Sequence, residues 1–68
     1  MYLLKKNELN KLLFKNDITR QDLADRAGIS IETINSWMYR SSMATYETMI
    51  KVVNYFNIDI DDLFDEVL

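Results

Sequence analysis

The sequence predicts an all-α protein of five short helices. Apolar residues recur at helical spacing along the chain, and residues that favour helix starts precede four of the expected helices. No run alternates apolar and polar residues for long, and no Asn-Gly or Asp-Gly pair marks a hairpin turn, so there is little evidence for strands. The chain has 68 residues and no linker-like stretch, so a single domain is expected over residues 1–68.

The first helix is expected over about Lys5–Asn16. Leu9, Leu12 and Leu13 fall on one face of this segment at helical spacing. The Asn-Asp pair at positions 16 and 17 then ends the helix.

The second helix is expected to begin after Thr19, whose hydroxyl can accept a hydrogen bond from the free amides of the first turn. Asp22 stands three residues later, where a capping box has its acidic partner. Gly28 ends the helix because glycine tolerates the positive φ found just past a last turn. The expected buried side consists of Leu23, Ala24 and Ala27.

The third helix follows almost at once. Ser30 is a suitable N-cap for a segment that runs through Ile34 and Trp37, which are expected in the core, to about Tyr39. Only a three- or four-residue turn that includes Gly28 separates the second and third helices. Two short helices joined by such a turn form a helix-turn-helix.

Two further helices complete the expected fold. Thr45 is placed to cap a fourth helix over Tyr46–Phe56, and Asp59 is placed to cap a last one from Ile60 to about Asp65. The expected inward-facing residues of these two helices are Met49, Val53, Phe56, Leu63 and Phe64.

The composition excludes several common kinds of catalytic and metal-binding site. The chain has no Cys and no His, so the common catalytic triads and cysteine or histidine metal sites are not available. We therefore expect no enzyme, no cofactor and no small-molecule substrate. The longest apolar run, residues 1–4, is too short to span a membrane, and Lys5 and Lys6 interrupt it where an export signal would continue. A cytoplasmic protein is expected.

The net charge of −3 comes from an acidic segment at the C-terminal end of the sequence. Residues 57–68 contain five acidic groups and no basic ones, whereas residues 1–56 contain eight basic and six acidic groups, a net of +2. Asn57, Asp59 and Asp61 match the first, third and fifth positions of a calcium loop. Asp62 and Leu68, however, stand where such a loop requires Gly and Glu, so no metal site is expected.

Residues 18–30, which read Ile-Thr-Arg-Gln-Asp-Leu-Ala-Asp-Arg-Ala-Gly-Ile-Ser, resemble the helix-turn-helix core of the Cro/C1-type (XRE) repressors. Thr33, Ile34 and Trp37 fall where the family has the same residue types, and residues 45–64 resemble its closing segment, so the resemblance covers about residues 9–64 without a gap. It implies a lambda-repressor-like DNA-binding domain that usually binds operator DNA as a homodimer.

In a helix-turn-helix the second helix of the motif enters the major groove. Here that helix offers Ile31, Glu32, Thr33, Asn35 and Ser36 to base edges. The start of the preceding helix and the loop after the third helix are suited to phosphates. The candidate DNA- or partner-binding residues are Arg20, Gln21, Ser30, Ile31, Glu32, Thr33, Asn35, Ser36, Tyr39, Arg40, Ser41 and Ser42.

Two functions follow. The first is a sequence-specific, Cro-like transcriptional regulator of a temperate phage or mobile element that binds double-stranded operator DNA. The alternative is an antirepressor, or modulator of repression, that keeps the helix-turn-helix fold but binds a repressor protein rather than operator DNA. The acidic net charge and the apolar residues Ile31, Met38 and Met43 motivate it. Met38 and Met43 suit either an exposed binding patch or gap filling beneath the loop.

Further apolar residues lie near the two ends of the chain and in the first helix. They suit either an extension of the core or a subunit interface. They are Tyr2, Leu3, Leu4, Phe14, Phe64, Val67 and Leu68.

Overall fold

A computed structural model describes residues 1–67 and contains the five expected helices. Helices α1 to α4 begin and end within about one residue of the expected bounds, so the all-α prediction is confirmed. In chain order the elements are β1 (Tyr2–Leu4), α1 (Lys6–Lys15), α2 (Arg20–Ala27), α3 (Ile31–Tyr39), α4 (Tyr46–Phe56), α5 (Ile60–Leu63) and β2 (Phe64–Glu66).

The two short strands were not expected from the sequence. β1 pairs with β2 in antiparallel register, with Leu4 opposite Phe64. The expected helix to Asp65 is therefore wrong after Leu63: the chain turns extended at Phe64, with φ −126° and ψ 141°. This turn places the Phe64 ring edge-on against Trp37, with 5.3 Å between the ring centres, and leaves only 1% of Phe64 exposed. Burial of this aromatic ring outweighs another helical turn.

Hydrogen bonds at the helix ends follow the expected pattern. The Thr19 hydroxyl accepts from the Asp22 amide at 3.1 Å, and the Thr19 amide donates to the Asp22 carboxylate at 3.0 Å. The bond from the Thr19 amide, and after it the interaction with the Thr19 hydroxyl, lowers the pKa of Asp22, because both favour the charged carboxylate. Gly28 ends α2 in the left-handed conformation, with φ 76°. Thr45 caps α4 by accepting from the Thr48 amide at 3.4 Å.

The expected inward-facing residues meet in one apolar core. Leu23, Ile34 and Leu63 are fully buried, and they bring α2, α3 and α5 together. Leu12, Ala27 and Phe56 are half-buried and pack against the core. The remaining expected core residues are buried, namely Leu9, Leu13, Ala24, Trp37, Met49, Val53 and Phe64.

The additional apolar residues divide between core and surface. Leu4 and Phe64 extend the core through the β1–β2 pair. Phe14 is 89% exposed and Val67 is also exposed, so neither contributes to the core. Leu68 lies outside the described residues. Within residues 1–67, no helix has the length and apolar character needed to cross a membrane.

Candidate nucleic-acid interface

Helix α3 turns one face to the core and the other to solvent. Ile34, Trp37 and Met38 are buried and Ile31 packs against the core, whereas Glu32, Asn35, Ser36 and Tyr39 lie on the outward side. A shallow concave surface follows this outward face, and its lining residues are Glu32, Asn35, Ser36, Tyr39 and Arg40. Five of the twelve residues predicted from the sequence therefore share one surface.

The first turn of α3 is held by its own hydroxyl groups. The Ser30 hydroxyl accepts from the Thr33 amide at 3.1 Å, and it lies 2.9 Å from the Thr33 hydroxyl. Ser30 is thus the helix cap, with one of its acceptor positions occupied. Ile31 is half-buried against the core, whereas Glu32 is exposed and is the only charged side chain of α3. The outward face of α3 is therefore polar and carries one charged side chain.

The start of α2 and the end of α3 are joined by one side-chain pair. The Arg20 guanidinium donates to the Tyr39 hydroxyl at 2.5 Å, and its central carbon lies 5.1 Å from the centre of the Tyr39 ring. Tyr39 is nevertheless 71% exposed. Gln21 points along α2 instead, where its amide donates to Asp25 at 3.0 Å.

The loop after α3 brings in a lysine that was not predicted from the sequence. Lys6, at the start of α1, donates to the Ser41 hydroxyl at 3.0 Å. Ser41 adopts a left-handed conformation, with φ 51°, and the Ser42 amide donates to the Ser36 carbonyl at 3.3 Å. Lys6 and Ser41 are 35 positions apart, so no local pattern could have revealed this contact.

Three cations therefore gather at the C-terminal end of α3. Tyr39 holds Arg20, Arg40 follows in the chain, and Ser41 holds Lys6. We call Lys6, Arg20 and Arg40 the cationic end of α3. None of the three forms an ion pair with a carboxylate among residues 1–67.

A second concave surface adjoins the first at Ser36. It lies between α3 and the start of α4, and its lining includes Thr33, Ser42 and Met43. The two methionines of this region behave differently: Met38 is buried beneath the helix, whereas Met43 is 58% exposed. Met38 therefore fills space in the core, whereas Met43 lies at the surface.

Helices α2 and α3, joined by the short turn at Gly28, form a helix-turn-helix whose second helix, α3, has an exposed face. A family model described as helix-turn-helix (HTH_3) matches residues 9–63. The chain therefore belongs to the Cro/C1-type helix-turn-helix family.

Two solved structures share this fold. The chain is similar to the transcriptional regulator VanUg with a TM-score of 0.77 and 21% identity, covering 97% of this chain and 87% of that one. It is also similar to a "putative DNA-binding protein" from Bacteroides fragilis with a TM-score of 0.68 and 26% identity, covering 96% of this chain and all of that one. No curated protein matches the chain.

Proposed function

We propose that this protein is a sequence-specific transcriptional regulator that places α3 in the major groove of double-stranded operator DNA. The arrangement of α3 carries the proposal: Asn35 and Ser36 face outward, and three cations lie at one end of the same surface. Asn can pair with adenine through two hydrogen bonds, and Ser can pair with several bases. The cations are placed for the flanking phosphates.

The charge distribution supports this docking. The five acidic groups of residues 57–68 are separate in sequence from α3 and from its cationic end. Glu32 lies in the first turn of α3, where the positive end of the helix dipole partly offsets the negative charge of its carboxylate. A homodimer would read two half-sites about one helical turn apart, roughly 34 Å.

The finer hypothesis is a Cro-like regulator of a temperate phage or mobile element, acting in the cytoplasm and without enzymatic activity. Its natural test is a gel-shift on the DNA upstream of its own gene. We expect binding about a thousandfold tighter than to random duplex of equal length. Equal affinity for both duplexes at low salt would contradict sequence-specific binding.

A second candidate is an antirepressor that uses the same surface for a repressor protein. Tyr39 and Met43 favour it because they expose large apolar groups beside α3, and α3 itself carries no Lys or Arg. The gel-shift therefore includes an arm with the repressor encoded nearby. If this candidate holds, the protein releases the repressor from DNA without binding DNA itself. Glu32→Lys combined with Ile31→Ser should abolish that release.

A further inference from the structure

A groove of about 560 Å³ lies between α4, α5 and β1. Half-buried side chains from these elements and from the turn between the two helices form its apolar floor, namely Tyr2, Ile50, Ile58 and Ile60. Each packs against the core on one side and faces the groove on the other. No residue of α3 or of its cationic end lines this groove, so an occupant here leaves the candidate nucleic-acid interface free.

Every charged residue that lines the groove is acidic. Asp59, Asp61 and Asp62 are exposed along its edge, and none of them belongs to an ion pair within the described part of the chain. Lys5 reaches α5, but it donates to the Asp61 main-chain oxygen at 2.6 Å and pairs with the Asp65 carboxylate at 3.7 Å. Its ion-pair partner, Asp65, is not among the residues that line the groove.

Acidic groups also lie near Tyr2 in the floor: Glu66 is its partner in the β1–β2 pair, and Asp61 lines the same groove. The pKa of the Tyr2 phenol is raised, chiefly by the nearby Glu66 carboxylate, then by burial and by Asp61. Tyr46, which is 68% exposed, also lies close enough to contribute to this shift. Tyr2 gives the floor of the groove an aromatic residue, a type that is enriched at protein-binding surfaces.

The negative charge of the groove restricts which kinds of molecule can bind in it. DNA, RNA and anionic lipid carry negative charge and would be repelled by the aspartates. A second copy bound face to face would place the same aspartates opposite one another. We therefore propose that this groove binds a basic, amphipathic segment of a different protein. Apolar side chains of that segment fill the floor, and its Lys or Arg residues meet Asp59, Asp61 and Asp62.

The test uses a helical peptide of Leu and Lys with leucines at positions i, i+3, i+4 and i+7. Amide NMR shifts during a titration of the full chain should change at Ile50, Ile58 and Ile60 and remain unchanged in α3. Asp61→Lys should weaken binding by about three- to tenfold, because reversal of an exposed charge removes one attraction and adds one repulsion.

The matched control is Asp25→Lys, which reverses an exposed carboxylate on α2 outside the groove. It should change the affinity by less than about twofold, because the added charge is remote and screened. A peptide with Ser in place of Leu should bind at least about tenfold more weakly, since it cannot fill the apolar floor.

Three results would overturn the proposal: equal weakening by Asp61→Lys and Asp25→Lys, shifts confined to α3, or a dimer whose dissociation constant changes in Asp61→Lys during sedimentation. The last result would assign the groove to a second copy. The amide spectrum reports whether each variant is folded. If Asp61→Lys does not fold, Asp61→Asn replaces it, with an expected weakening of about two- to threefold.

Discussion

The Arg20 guanidinium donates to the Tyr39 hydroxyl and lies over the face of the same ring. The pair joins the first residue of α2 to the last residue of α3, so it connects the two helices of the motif at the surface proposed to meet DNA. A guanidinium held by a hydrogen bond and a ring loses less rotational freedom when it binds phosphate. If Arg20 binds a phosphate as proposed, we expect Tyr39 to position its guanidinium.

Tyr39→Phe removes the acceptor but keeps the ring. We expect the free energy of unfolding to fall by about 0.5–1 kcal/mol, because the hydrogen bond is exposed and the cation–π interaction remains. Affinity should fall by about two- to fivefold on every DNA sequence, because Arg20 is expected to bind phosphate rather than a base. Denaturant unfolding and fluorescence anisotropy measure the two effects.

Tyr46→Phe is the matched control, since Tyr46 is an exposed tyrosine on α4. It should leave DNA affinity unchanged. Tighter DNA binding by Tyr39→Phe would contradict the positioning role and would mean that Tyr39 withholds Arg20 from DNA.

Lys6→Gln tests the cationic end of α3. A protein that neutralises one phosphate fewer has a slope of log affinity against log salt that is shallower by about 0.9. We expect that change for Lys6→Gln in a salt titration of DNA binding. Lys11→Gln alters the same helix but removes a lysine paired with Glu8 at 3.2 Å, and it should leave the slope unchanged. Identical slopes for wild type and Lys6→Gln would show that Lys6 does not bind phosphate.

The Thr19–Asp22 capping box should make stability depend on pH. The pKa of Asp22 is lower in the folded protein than its ordinary value of 3.8, chiefly because the Thr19 amide donates to the carboxylate. This stabilisation is complete above the unfolded pKa and disappears as pH falls through the folded pKa. The difference in unfolding free energy between wild type and Asp22→Asn should therefore shrink as the pH falls below about 4.

Thr45→Ala provides the comparison for that measurement. Thr45 caps α4 through its hydroxyl, without a carboxylate partner. The substitution should therefore lower the free energy of unfolding by about 0.5–2 kcal/mol at every pH. Denaturant unfolding at a series of pH values gives both differences. A constant difference for Asp22→Asn down to acid pH would exclude the capping carboxylate as its source.

The β1–β2 pair should matter to stability through Phe64. Phe64→Ala removes a ring that is 1% exposed and contacts Trp37, so we expect the free energy of unfolding to fall by about 3–5 kcal/mol. Phe14→Ala removes a ring that is 89% exposed and should change stability by less than about 0.5 kcal/mol. Equal destabilisation of the two variants in thermal unfolding would contradict a structural role for the Phe64 ring.

These residues also show what the sequence could reveal. Thr19, Ser30 and Thr45 act within three residues of their partners, so local chemistry predicts the helix starts. Leu4 and Phe64 pair across 60 positions in strands of only three residues, and such strands are too short to show an alternating pattern.

The same distinction holds for the candidate site. The helical spacing of Asn35, Ser36 and Tyr39 is enough to predict that they share one face of α3. The Lys6–Ser41 and Arg20–Tyr39 contacts depend instead on how α1 and α2 pack against α3. Only the folded chain reveals them.

The affinity of Asn35→Ala for a selected operator tests most directly whether α3 reads base edges, as proposed. We expect binding to weaken by about 1–3 kcal/mol on the preferred operator and hardly at all on random duplex, because Asn35 is proposed to contact a base rather than phosphate. Asn54→Ala, which alters an exposed asparagine on α4, should bind as wild type does. Equal operator affinity for Asn35→Ala and wild type would contradict the proposal.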